Sequence, residues 1–164
     1  MKLGLDIHGV ITKKPEFFSI LTDKAVQRGH EIHILTGALL TDTKIKELEA
    51  FGISWTHLFS ISEYHKHLGT PMTFTAPNNP WIDPILWDRT KGDYCARNKI
   101  TFHVDDTLRY GDYFSTPFAW YNSEENKAHW FVGLDRKGTL VFQNPEETLS
   151  VIEGIAEGLI KEDN

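Results

Sequence analysis

Residues 1–12, MKLGLDIHGVIT, carry an apolar run from Leu3 to Ile7 that is interrupted at Asp6 and followed by a turn through His8 and Gly9. A β-prone run ending in a carboxylate is what a parallel strand delivers to a ligand site, because ligands of open α/β sheets sit beyond the carboxyl ends of the strands. Working outward, Pro15 to Arg28 places Phe17, Phe18, Ile20, Leu21 and Ala25 at helical spacing, and Gly29 stops that helix. Glu31 to Leu35 reads as a second strand broken by Thr36-Gly37. A second helix follows from Thr41 or Asp42 to Phe51, with Ile45 and Leu48 on one face and Gly52 at its end. This alternation predicts an α/β domain: a parallel sheet with right-handed crossovers and helices on both faces.

Beyond Gly52, Trp55 to Ser60 reads as a strand. The stretch 62–88 then loses periodicity, and TAPNNPWIDP (residues 75–84) combines turn chemistry with bulky apolar groups, so an ordered, irregular, flap-like insertion is expected there. A short helix around Gly92 to Arg97 precedes a buried strand, Ile100 to Val104, which delivers Asp105 and Asp106 to the same sheet edge. Phe118 to Tyr121 is a further strand. Trp130 to Val132 and Thr139 to Phe142, joined by the turn-like LDRKG, predict a C-terminal β-hairpin, and Pro145 to Ile160 a closing helix with Glu146 and Glu147 in its first turn. The tail KEDN, 161–164, reads as solvated.

The chain of 164 residues predicts one domain, residues 1–164. A net charge of −6 argues against a nucleic-acid or anionic-membrane surface, since such surfaces neutralise phosphates with Lys and Arg. A small phosphorylated substrate stays compatible with it. Cys95 is the single cysteine, no apolar stretch approaches the roughly 20 residues that span a bilayer, and the start lacks a signal-peptide pattern. A cytoplasmic location is therefore the expectation, with the oligomeric state left open.

Four segments in order supply the parts of a phosphoryl-transfer site: Asp6; HILTG with Thr36; RTKGDYC with Lys91; and FHVDDT with Asp105 and Asp106. A carboxylate with a pKa near 4 is ionised at neutral pH and attacks phosphorus without a base, provided the charge of the phosphate is neutralised. Mg²⁺ does that with oxygen ligands: an Asp6 oxygen, a backbone carbonyl two residues on, and an Asp of the DD pair. The Thr36 hydroxyl and the N–H of Gly37 would bind phosphoryl oxygens, and Lys91 would offset the charge on Asp6 and phosphate. Taken singly, each motif has a plainer use as a cap, a strand exit or a solvated charge.

These residues resemble the haloacid dehalogenase superfamily of hydrolases. Asp6 falls at its nucleophile, Thr36 at its Ser/Thr motif, Lys91 at its basic motif, and Asp105-Asp106 at its acidic motif. The resemblance covers roughly Met1 to Tyr121. It implies a three-layer, Rossmann-like core with Mg²⁺ held by Asp6, the main-chain carbonyl of His8, and the acidic pair, Asp106 directly and Asp105 as its partner. Only 27 residues separate His8 from Thr36 and 54 separate Thr36 from Lys91, so the chain resembles compact, capless or minimally capped phosphatase and nucleotidase members. It departs from them at position 8, where the phosphatases carry a second Asp that protonates the leaving alcohol and activates water. His8 is the implied acid/base here, because imidazole titrates near pH 6.5 and a neighbouring phosphate favours its protonated form.

The expectation is thus a Mg²⁺-dependent phosphomonoester hydrolase working through an aspartyl-phosphate on Asp6, with a nucleotide or sugar phosphate as substrate. Two alternatives stay open: a catalytically impaired phosphate- and metal-binding or regulatory domain, and a dehalogenase-like hydrolase. Arg109 and Tyr110, just past the DD pair, are placed near the substrate. His57, His65 and His67 lack a Cys or acidic ligand at metal-finger spacing and read as surface, and Trp81, Trp87, Trp120 and Trp130 read as packing residues.

Overall fold

The computed structural model describes residues 1–162. The side chains of the KEDN tail lie outside the described residues. Along the chain run β1 (Lys2–Leu5), α1 (Pro15–Gln27), β2 (Glu31–Thr36), α2 (Asp42–Ala50), β3 (His57–Ser60) and α3 (Ile61–Leu68). There follow β4 (Thr73–Ala76), β5 (Asn79–Trp81), α4 (Pro84–Asn98), β6 (Phe102–Asp105), β7 (Phe118–Asn122), β8 (Lys127–Val132), β9 (Asp135–Val141) and α5 (Pro145–Glu162). Seven strands form the central sheet in the order β3-β2-β1-β6-β7-β8-β9. The first five are mutually parallel and the last two antiparallel. The architecture is α/β, Rossmann-like in its mostly parallel sheet flanked by helices.

Alternation along the strands sends side chains to two cores. Leu3, Leu5, Ile32, Ile34, Phe102 and Val104 pack with Phe18 and Leu21 of α1, Leu48 of α2 and Leu149 and Ile152 of α5. Leu35 packs on the other face with Cys95 of α4 and with Tyr110, Phe114 and Phe118. Both faces of the parallel strands are covered, as their apolar runs require. Among the described residues no helix is long and apolar enough to cross a membrane.

The chain leaves central β1 for β2 and β3 on one side, then returns to β6 on the other. The order in which strands join the sheet therefore reverses between the parallel neighbours β1 and β6, and a crevice opens at their carboxyl ends, where open sheets bind ligands. Asp6 follows β1 directly, and its N–H donates to Val104 O at 3.1 Å, which extends the ladder to the mouth of that crevice.

Three expectations are corrected. The stretch 62–88 is largely regular, not irregular. Most of α3 lies there, capped by Ser60, which accepts from Glu63 N at 3.0 Å in an S-x-x-E arrangement. The antiparallel hairpin β4–β5 is also there. The helix carrying Lys91 starts at Pro84, eight residues before the expected Gly92, because Asp83 accepts from Ile85 N and Leu86 N and Pro84 occupies the first turn. In the C-terminal hairpin, Asp135 to Gly138 of LDRKG belong to β9. Val132 pairs with Asp135, so the turn is Gly133-Leu134, with the positive φ of +60° at Gly133 that two-residue hairpin turns favour.

Candidate active site

Asp6 and Asp105 come from neighbouring parallel strands and Lys91 from the buried face of α4. Lys91 Nζ donates to Asp6 Oδ1 at 2.9 Å and to Asp105 Oδ2 at 2.7 Å, and lies 5.3 Å over the Tyr110 ring. Asp6 is 6 % exposed and Lys91 2 %. Asp105 is fully engaged: Oδ2 also meets His103 Nε2 at 3.0 Å, and Oδ1 accepts from Thr107 N at 3.1 Å. It orients Lys91 and the strand exit, while Asp106, next in sequence, is exposed. The nearest ligand oxygens of Asp6, Asp105 and Asp106 lie within 4.8 Å of one another.

Burial raises the Asp6 carboxyl to about 7, with Asp105 and Asp106 adding to the rise and Lys91 opposing it. Asp105 moves the other way: burial would raise it, but Lys91 and His103 hold it well below the usual carboxylate range. Burial likewise opposes the charge on Lys91, and Asp105 and Asp6 outweigh it, so that ammonium stays protonated. His103, the hydrogen-bonding partner of Asp105 that sequence reading overlooked, is pushed down by burial. With Asp6 ionised, as above pH 7, the three carboxylates and the one ammonium make a doubly negative cluster. An all-oxygen donor set with that charge suits a hard divalent cation such as Mg²⁺.

Gly9 completes the cradle. Its φ is +84°, and a Cβ built there would lie 2.0 Å from Asp106 Oδ2. Gly9→Ala is expected to push Asp106 out of place while the fold survives. Titration of Mg²⁺ followed by thermal melting should show the metal-induced stabilisation shifted to at least tenfold higher Mg²⁺.

A pocket of about 580 Å³ lies above these groups, within the roughly 300–1,000 Å³ of small-molecule sites. Asp6, His8, Gly37, Lys91 and Asp106 line it, together with residues the sequence did not single out for it: Gly9, Lys13, Ala38, Thr107 and Asn78-Asn79-Pro80 of the β4–β5 hairpin. Trp87 and Tyr110 form an aromatic wall, joined by a Trp87 Nε1–H bond to Tyr110 Oη at 2.9 Å. Thr36, fully buried at the end of β2, stands behind this lining, and its Oγ1 accepts from Ala38 N at 3.2 Å. Arg109 lies outside the pocket. Its Nε donates to both oxygens of Asp88 at 3.1 and 3.2 Å, and it borders an adjacent cleft beneath the hairpin.

His8 is held differently from the sequence expectation. Lys44 Nζ of α2 donates to His8 Nε2 at 2.8 Å and to Glu47 Oε2 at 2.9 Å. An ammonium only donates, so His8 Nε2 carries its lone pair and the ring is neutral. Burial and Lys44 lower the His8 pKa in the phosphate-free chain. Lys44 went unnoticed because nothing in DTKIKELEA distinguishes it from a solvated helix lysine.

No protein-family model matches the chain, and no curated protein matches it.

Proposed function

We propose that this chain is a Mg²⁺-dependent phosphomonoester hydrolase of the haloacid dehalogenase type, acting through an aspartyl-phosphate on Asp6. The observation that carries the reading is the posture of Asp6. One oxygen is pinned by Lys91, no hydrogen bond engages the other among the described residues, and the carboxylate lines a pocket at the point where the sheet changes direction.

In this reading Asp6 and Asp106 hold Mg²⁺, with the main-chain carbonyl of His8 as the resemblance implies. The ion supplies neutralisation of phosphate charge. The free oxygen of Asp6 would form the bond to phosphorus as the ester P–O bond breaks, and the departing alkoxide would take a proton from His8, protonated beside the bound phosphate, which regains it from the attacking water. Water then attacks the aspartyl-phosphate, releasing inorganic phosphate and restoring Asp6. Lys91 opposes the burial-driven rise in the Asp6 pKa and aims the carboxylate. The N–H of Gly37, at the pocket lining, would donate to a phosphoryl oxygen, while Thr36 shapes that loop from beneath by accepting from Ala38 N. The aromatic wall and the Asn78-Asn79 amides favour a nucleotide or sugar phosphate.

A second reading, a phosphate- and metal-binding domain without turnover, is favoured by one observation: the Nε2 of His8 is occupied by Lys44. Phosphate release from a panel of aryl phosphates, nucleotides and sugar phosphates, with Mg²⁺ or EDTA, separates the two. Mg²⁺-dependent release that falls in His8→Asp supports the hydrolase with His8 as its acid/base. Release that appears only in His8→Asp supports the impaired domain.

A further inference from the structure

Away from the acidic pocket, the parallel pairing of β2 with β3 sets His33 directly opposite His57. Glu31, two residues before His33 on β2, projects to the same face. The ligand atoms of all three lie within 4.8 Å of one another. We propose that Glu31, His33 and His57 form a second metal site, for a divalent transition-metal ion of the zinc class.

Hydrogen-bond partners set the ring protons favourably. Thr56 Oγ1 donates its own proton to Ile32 O at 3.0 Å, so at its 2.9 Å contact with His57 Nδ1 it accepts. His57 Nδ1 therefore carries the proton and Nε2 the lone pair a metal needs. His33 Nε2 lies 2.9 Å from Glu31 Oε2, and its Nδ1 lies 2.8 Å from Tyr94 Oη. The carboxylate accepts from Nε2–H in the metal-free state. A metal replaces that contact when the ring proton passes to Nδ1, because the Tyr94 hydroxyl accepts from Nδ1–H as readily as it donates to Nδ1. A ligating imidazole whose other nitrogen is held by a fixed polar group is the usual second shell of a metal histidine.

The two rings are stacked, 4.1 Å between centroids and 4° between planes. His33 is buried, whereas His57 is exposed, so its ring turns to bring Nε2 onto the other two donors by exchanging its Thr56 contact for water. Two imidazoles and one carboxylate leave the fourth tetrahedral position to water and select Zn²⁺ over Mg²⁺, which prefers oxygen. The charge that competes is Lys2, 3.7 Å from Glu31 Oε2, but its ammonium also donates to Asn98 O at 2.9 Å and has that carbonyl to stay with. The sequence hid this set, since its members are spread from residue 31 to residue 57. His65 and His67 take no part in it.

The test is binding of Zn²⁺ alone to the whole chain with Mg²⁺ in excess to occupy the acidic pocket, read by equilibrium dialysis, by thermal melting and by the visible spectrum of a Co²⁺ substitute. The wild type is expected to take up one equivalent, to melt at higher temperature with Zn²⁺, and to give Co²⁺ the intense absorption of a four-coordinate site. His57→Gln and Glu31→Gln, both at partly or fully exposed positions, should each weaken binding at least tenfold and leave Mg²⁺-induced stabilisation unchanged. Absence of stoichiometric Zn²⁺, or equal binding by wild type and both variants, would overturn the proposal.

Discussion

Asp6→Asn is expected to remove Mg²⁺-dependent phosphate release, by about 10⁴-fold or more, as loss of a covalent nucleophile does in other hydrolases. The amide keeps the size of the side chain and still accepts from Lys91, so the protein should remain folded. The same variant has a stability signature. Burial and two nearby carboxylates raise the Asp6 pKa in the folded chain from about 4 to about 7. A carboxyl with a raised pKa favours folding while protonated, and that contribution is lost as pH climbs from about 4 to about 7. Melting of the metal-free wild type in EDTA should therefore lose this increment across that window, and Asp6→Asn should lack it. Above pH 7 the ionised Asp6 is what Mg²⁺ rewards, so the metal-induced rise in melting temperature should be larger at pH 8 than at pH 5.

Lys91→Met is expected to have the largest effect on folding. Lys91 is the shared counter-charge of Asp6 and Asp105, and removing one partner of a buried ion pair costs about 3–5 kcal/mol. A typical domain has about 5–15 kcal/mol in total. The loss should appear as a lower urea midpoint at neutral pH. The sign follows from the partners: Asp105 titrates below the usual carboxylate range and Lys91 above the usual lysine range, so their mutual stabilisation is fully present at pH 7. It fades only as pH falls through the lowered Asp105 pKa or rises through the raised Lys91 pKa. Added Mg²⁺ should recover part of the loss by supplying positive charge to the same carboxylates. If the midpoint is unchanged, the three groups are not the buried cluster described above.

What the sequence disclosed and what it withheld divide along physical lines. β1, β2 and β6 were legible because strands buried on both faces are rich in Leu, Ile, Val and Phe, interrupted here only by Gly4, His33 and His103, and that richness stops where Asp6, Thr36 and Asp105 begin. α1 was legible through its periodicity and its Gly29 stop. The start of α4 was not, since Trp81-Ile82-Asp83-Pro84 reads equally as turn chemistry and as a capped helix start, and only packing decides between them. α3 did carry a signal, the Ser60 to Glu63 capping box, which the surrounding His, Thr and Pro residues masked. In the pocket, the residues with a motif were legible in sequence. Lys44 beside His8, His103 behind Asp105, and Asn78 to Pro80 over the opening are tertiary neighbours with no local signature.

The most direct test of the account is a single-turnover reaction with a ³²P-labelled phosphomonoester from the panel, quenched in acid, with wild type and Asp6→Asn side by side in Mg²⁺. Label is expected on the wild-type protein that survives acid, is released by hydroxylamine as an acyl phosphate is, and is missing from Asp6→Asn. Phosphate release with no label on the protein, continuing in Asp6→Asn, would contradict it.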